Sequence, residues 1–194
     1  LEYKGFEINQ VVNITDMGEK AILEPGRSDS DLDANAERYM EICQRDLSVL
    51  GVKPATYYPR TSEHVDDILD ISKGLIEKGF AYEKLRSIYF DISKFSDYGR
   101  LSRVDLKKIR LGKTVDLEAY EKLNPRDFTL LRRATLAELK RGIYLKTSWG
   151  NVLPSLHLET VALAMKQLGE TIDIHISSLD FLFPHNENEI AIAQ

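Results

Sequence analysis

Apolar and polar positions alternate in two periods along this chain. Phe6-Glu7-Ile8-Asn9-Gln10-Val11-Val12 is short and rich in β-branched residues, which predicts a strand ending at the polar corner Asn13-Ile14-Thr15-Asp16. Over residues 34–50 the spacing becomes helical: Ala36, Tyr39, Met40, Cys43, Leu47 and Leu50 recur every three or four positions, and Gly51 ends the run. Cys43 lies on that stripe and is expected in the core. A second helix is expected from a Thr61-Ser62 cap, with Val65, Ile68, Leu69, Leu75 and Ile76 on one face and Gly79 as its stop. Residues 80–92 alternate and suggest a strand pair. The stretch from about 93 to 150 has no strong period and reads as an inserted, irregular subdomain.

The C-terminal part returns to clear patterning. His157 to Leu168 is expected to be a helix that buries Leu158, Val161, Ala162, Met165 and Leu168, closed by Gly169. Thr171-Ile172-Asp173-Ile174-His175-Ile176 reads as a strand apolar on both faces, as in a buried parallel sheet. Pro184 then suits the first position of a helix running through Ala193. Helix, strand, loop, helix is the signature of a doubly wound α/β fold. Ligands in such sheets bind beyond the carboxyl ends of the strands, which here means residues 176–185.

Composition narrows the class. With 43% hydrophobic and 29% charged residues over 194 positions, the chain is neither disordered, collagen-like nor a coiled coil. Its uncharged apolar runs fall far short of the ~20 residues of a membrane helix, and the start, Leu1-Glu2-Tyr3-Lys4-Gly5, does not read as a signal peptide. One cysteine cannot form an internal disulfide, which fits a reducing cytoplasm. A first residue other than Met and an end on a helical run, Gln194, read as a piece of a longer protein. Oligomeric state is not legible, since no sustained heptad or exposed apolar stripe is visible.

Charge is unevenly distributed. The net charge is −5, and residues 1–99 carry 19 Asp and Glu, yet residues 100–141 carry 12 Lys and Arg against six acids. A basic zone on an acidic protein fits a polyanion such as RNA, although a solvated face gives the same composition. The serine–acidic stretch 28–33 reads as a loop. Three of the four histidines, His157, His175 and His185, fall in the C-terminal part. His185 and Glu189 are four apart on one helical face, a spacing that can chelate zinc or simply serve a solvated helix start. Neither a Walker nor a Rossmann glycine loop is present. Asn13-Ile14-Thr15 matches a glycosylation sequon, which has no bearing without a secretory signal.

Seven segments bring these pieces together: Val12-Asn13-Ile14-Thr15-Asp16, Thr61-Ser62-Glu63-His64, Asn124-Pro125-Arg126-Asp127-Phe128, Trp149-Gly150, His157-Leu158-Glu159, Asp173-Ile174-His175, and Phe183-Pro184-His185-Asn186-Glu187-Asn188-Glu189-Ile190-Ala191. In order and spacing the chain resembles cysteinyl-tRNA synthetases, from about Val11 to Gln194. The resemblance implies part of a class I catalytic domain, a doubly wound, Rossmann-like nucleotide-binding fold of HUP type. Residues 1–79 would be its first part, 80–147 a basic connective insertion near the tRNA acceptor end, and 148–194 its second part. It implies ATP-dependent activation of cysteine and transfer to tRNA, with a zinc ion that selects the cysteine thiolate.

By position, the resemblance gives His157 and Asp180 catalytic roles and puts Asn13, Thr15, Asp16, Leu156, His175, Ser177 and Ser178 in the substrate and nucleotide pocket. His185 and Glu189 match two zinc ligands. Thr160 stands where the family has a ligand cysteine, and the fourth ligand belongs to a strand ahead of these residues. Leu156 replaces the pocket tryptophan, Leu153-Pro154-Ser155 replaces Arg-Pro-Gly, Ile176-Ser177-Ser178 replaces a glycine run, and Asn186 replaces the second histidine of a pair. The HIGH and KMSKS motifs lie outside these residues. The expectation is therefore a divergent or truncated synthetase domain, impaired by itself and with zinc absent or loosely held. The alternative is a paralog without aminoacylation that binds RNA, a nucleotide or a protein partner. The cysteine ligases that build mycothiol need the same thiolate site, so Thr160 counts against them equally.

Overall fold

The computed structural model describes residues 1–17, 32–106 and 122–194. Residues 107–121, which hold part of the basic stretch 100–141, and Ser28 to Asp31 of the serine–acidic stretch lie outside the described residues. Helices α1 (Leu32–Val49) and α2 (Val65–Glu77) precede a hairpin of β1 (Ala81–Lys84) and β2 (Ser87–Phe90). β3 (Phe128–Arg133), α3 (Leu136–Arg141), β4 (Leu145–Thr147), β5 (Gly150–Pro154), α4 (Leu156–Leu168) and α5 (Glu187–Ile192) follow. The protein is α/β, and its five-stranded sheet has the order β1-β2-β3-β5-β4 with every pair antiparallel. No helix among the described residues is long and apolar enough to cross a membrane.

The core lies between this sheet and the helices α2, α4 and α5. Ile68 and Leu75 of α2, Leu158, Val161 and Ala162 of α4, and Ala191 and Ile192 of α5 close over Ile88, Phe90, Phe128, Leu130 and Val152. Flat rings stack through it, with Phe90 on Phe128 at 4.8 Å and Phe80 on Phe90 at 6.0 Å between centroids. Burial of side chains this size, at about 25 cal/mol per Å² of apolar surface, is the main force holding the helices to the sheet.

Six local expectations are corrected. Among its described residues the region 93–150 is not irregular, because it supplies β3, α3 and β4. Leu130 and Leu131 are adjacent and both wholly buried, so β3 shows no period-two alternation to read. Residues 6–12 form no strand of that sheet. Instead the chain there runs parallel to residues 57–61, with single bridges at Val11–Tyr57 and Ile14–Arg60. Tyr57 N donates to the Gln10 carbonyl at 3.0 Å, Val12 N to Tyr57 at 3.0 Å, Ile14 N to Pro59 at 2.8 Å and Thr61 N to Ile14 at 3.1 Å. The ladder breaks between these bonds because Pro59 has no N–H to give to Val12.

Cys43 is exposed, not core. Its helix forms as expected, but Tyr39 and Leu50 on the same stripe are exposed too, since periodicity defines a face without supplying a partner for it. Residues 171–176 form no strand: nothing among the described residues pairs with them, and Ile176 is 87% exposed. The last helix begins at Glu187 rather than at Pro184. Pro184 follows a cis peptide bond, inside a wide turn over Leu182–Asn186 in which Phe183 is extended. Thr61 likewise caps nothing; it opens a one-turn 3-10 segment, and α2 starts after His64.

Candidate functional site

The first turns of α4 are the focus of the polar residues. Asp16, at the end of the parallel segment, is almost fully buried. It accepts hydrogen bonds from the Ser62 amide at 2.9 Å, the Ser62 hydroxyl at 2.5 Å and Arg60 Nε at 2.8 Å. Arg60 also faces Glu37 of α1 at 3.7 Å. Thr61, wholly buried next to this pair, donates from Oγ1 to the Glu159 carboxylate at 3.1 Å and lies 3.3 Å from the Ile14 carbonyl. Thr15 is a further hydrogen-bond partner of Glu159. Burial pushes the Glu159 carboxyl up to about 7 and the nearby Asp16 charge adds to this, while the two threonine hydroxyls work against it. This is a dry carboxyl group that takes up a proton near neutrality.

His157 sits two residues before Glu159. Its Nε2–H donates to the Thr129 carbonyl of β3 at 2.8 Å, which leaves Nδ1 as the acceptor nitrogen. That Nδ1 is buried with no hydrogen-bond partner among the described residues. Burial drives the His157 pKa down to about 3, so the ring is neutral. Phe128 meets it edge-on at 5.1 Å, and the His185 ring lies 5.9 Å away, itself edge-on to Phe181 at 5.0 Å.

Residues 175–178 are joined to the last turn and helix by two contacts. His175 Nε2 meets Glu189 Oε2 at 3.2 Å, and Asn186 Nδ2 donates to Ser177 Oγ at 2.7 Å. Burial raises the Glu189 carboxyl to about 7. The hydrogen of the first contact can therefore come from the ring N–H or from the carboxyl O–H. Ser178 Oγ accepts from the Asp180 amide at 3.4 Å and caps a one-turn segment, on which Asp180 is exposed.

Beneath this, α5 is bolted to the loop after β2. Glu187 is buried and accepts from the Gly99 amide at 3.0 Å and the Ser102 amide at 2.5 Å, while the Tyr98 hydroxyl donates to Asn188 Oδ1. Gly99 has φ +92°, and a Cβ there would meet Val104 Cγ1 at 3.2 Å, so the loop needs glycine at this point.

The sequence-derived residues thus fall into separate groups. Thr15 and Asp16 join Glu159, His157 joins His185, and His175 joins Glu189, whereas Asp180 stands apart in solvent. Asn13 is half-buried on the parallel segment, and Leu156 is half-buried at the start of α4. Thr160 Oγ1 donates back to the Leu156 carbonyl at 2.9 Å. Among the described residues no three His, Cys, Asp or Glu side chains converge as a metal site. With Glu189 on His175 and the Thr160 hydroxyl on its own helix, the residues as arranged do not fit a zinc ion, whose sites take four N, S or O ligands. The sequence pattern marks Thr61 only as a helix cap and gives Arg60, Glu159 and Glu187 no part in a site. The available signal was an acid set among apolar helix positions, as in Leu158-Glu159-Thr160-Val161-Ala162.

Comparison with known proteins covers the whole chain. The family model for the catalytic domain of class I (C) tRNA synthetases matches residues 1–194. A cysteine–tRNA ligase of Methanosarcina mazei is 42% identical over 191 residues, which is 98% of this chain and 40% of the relative. Similar ligases of Methanosarcina acetivorans (43% identical, 98% of this chain and 40% of the relative) and Pyrococcus abyssi (41%, 98% and 39%) also align over 191 residues. The chain therefore spans about 40% of the length of the curated relatives it matches.

Proposed function

The chain belongs to the family of class I (C) tRNA synthetase catalytic domains, and from that membership we propose that it is the nucleotide-binding catalytic region of a cysteinyl-tRNA synthetase-like protein. In this reading residues 1–79 and 148–194 are two parts of one doubly wound, Rossmann-like fold of HUP type, and residues 80–147 are its connective insertion. The parallel hydrogen bonds between residues 10–14 and 57–61, with α1 in the connection, support the doubly wound part. Parallel strands joined through a helix are the repeating unit of such folds. ATP is the nucleotide, and tRNA is the polyanion for the basic stretch 100–141.

The observation that carries this reading is the convergence on α4 of motif segments distant in sequence: Asp16 and Thr61 beside Glu159, and His185 beside His157. The neutral His157 ring offers a hydrogen-bond acceptor at Nδ1. Asp180 offers a solvated carboxylate beyond residues 175–178, where the resemblance puts the nucleotide.

A second reading is favoured by one specific observation, the engagement of Thr160 and Glu189 with protein atoms. It keeps nucleotide and RNA binding and drops cysteine activation. Both readings are tested on the full-length protein. ATP and tRNA binding by equilibrium dialysis is expected, and loss of both would sink the synthetase-like function. Cysteine-dependent exchange of pyrophosphate into ATP then separates the two. A rate far below that of the Methanosarcina mazei ligase in the same assay is the expected result, and a comparable rate would establish an active cysteine ligase.

A further inference from the structure

The clearest departures of this chain from the family pattern lie next to one another in space. Ser177 occupies a position where the resemblance has glycine, and Asn186 one where it has the second histidine of a pair. The two are hydrogen-bonded, Nδ2 to Oγ, at 2.7 Å. A glycine at 177 would offer no hydroxyl, so the Asn186 amide makes this bond only because both positions have changed. Four residues along the chain from His185, Glu189 bonds to His175 at 3.2 Å, two residues before Ser177. The two contacts lie side by side and tie one short loop to one turn and helix. The third departure, Thr160, directs its hydroxyl to the Leu156 carbonyl one helical turn back. A threonine hydroxyl keeps its proton at neutral pH and cannot match a cysteine thiolate as a soft ligand.

We infer that this chain has exchanged a metal-held pocket for a direct clasp, Ser177–Asn186 with His175–Glu189, and that the pocket takes a ligand carrying no metal-bound thiolate. The inference rests on the family reading, because that reading is what puts the zinc and the nucleotide loop at these positions. It goes beyond it by assigning the substituted residues a shared role: they hold the 175–178 loop against α5 where a metal would otherwise fix the helix side chains. Two ligands, His185 on the turn before α5 and Glu189 on α5, the second already bonded to His175, leave a zinc ion short of the four that a stable site needs.

The metal half is tested on the full-length protein, made in zinc-supplemented cells and dialysed against metal-free buffer, beside its His185→Ala variant. Well below one zinc per chain is expected. One zinc per chain that disappears in the His185→Ala variant would overturn the inference. The clasp is tested by amide hydrogen exchange at Asp180 and Phe181, whose N–H groups donate to Ser178, in Ser177→Gly, Asn186→Ala and the double variant. The Ser177 hydroxyl also donates to the Ser178 carbonyl at 3.4 Å, so exchange accelerates about five-fold in Asn186→Ala, at least as much in Ser177→Gly, and no further in the double variant than in Ser177→Gly. Independent, multiplying effects would overturn the clasp. Neither readout depends on ATP, tRNA or catalysis, so failure of the function proposed above and failure of this inference are told apart.

Discussion

Glu159 is the residue whose chemistry has the plainest consequence. Its carboxyl is almost fully enclosed, with Thr61 and Thr15 as hydrogen-bond partners and Asp16 close by. Burial raises it from an ordinary 4.5 to about 7, so the folded chain holds this proton more tightly than the unfolded chain does. Between those two pH values the folded state binds the extra proton, and stability falls as pH rises. The contribution is complete below about pH 4.5 and gone above about pH 7. Glu159→Gln retains a hydrogen-bond acceptor for Thr61 and removes the titration. Urea denaturation at pH 5 and pH 8 should show the variant gaining on the wild type at the higher pH, by up to about 3 kcal/mol at roughly 1.4 kcal/mol per unit of pKa shift. A difference between variant and wild type that does not change with pH would refute the assignment.

At the scale of elements, the joint between α5 and the loop at 98–102 matters most. Glu187 is one buried carboxylate that satisfies two backbone amides, and Asn188 next to it receives the Tyr98 hydroxyl. Glu187→Ala leaves the Gly99 and Ser102 amides without this acceptor, at about 1–3 kcal/mol for each donor that stays dry. A loss of roughly 2 kcal/mol or more in chemical denaturation is expected, with faster exchange at the Gly99 and Ser102 amides. A variant as stable as the wild type would mean that water replaces the carboxylate. This joint is not legible in the sequence, where Glu187 is one more acid in the first turn of a helix, a position the helix dipole favours whatever it bonds to. The sequence did reveal α2, α4 and the β1–β2 hairpin, whose apolar positions keep a clean period. It failed where both faces are covered, as at Leu130 and Leu131, and at residues 171–176, where no strand among the described residues lies beside the apolar pattern. The i, i+4 spacing of His185 and Glu189 was equally plain, but spacing does not choose partners. In three dimensions one turns to His157 and the other to His175.

For the whole molecule the question is how a chain of net charge −5 could hold RNA. Uniformly spread, that charge would repel phosphates, so attraction has to come from the excess of 12 cations over six acids in residues 100–141. Arg100, Arg103 and Arg126 belong to that stretch and are exposed, though Arg100 also pairs with Asp97 at 3.2 Å. Binding through such groups releases counterions, and each phosphate contact adds about 0.7–0.9 to the slope of log affinity against log salt. Four contacts would give a slope of about −3, and a fourfold rise in KCl would weaken tRNA binding about sixty-fold. Converting Arg100, Arg103 and Arg126 to alanine should flatten that slope as well as weaken binding. Changing Lys73 and Lys78, near the end of α2, to alanine should leave the slope where it was. Affinity indifferent to salt, or a slope moved equally by both sets, would show that the basic stretch is a solvated surface and that RNA, if bound, is held elsewhere.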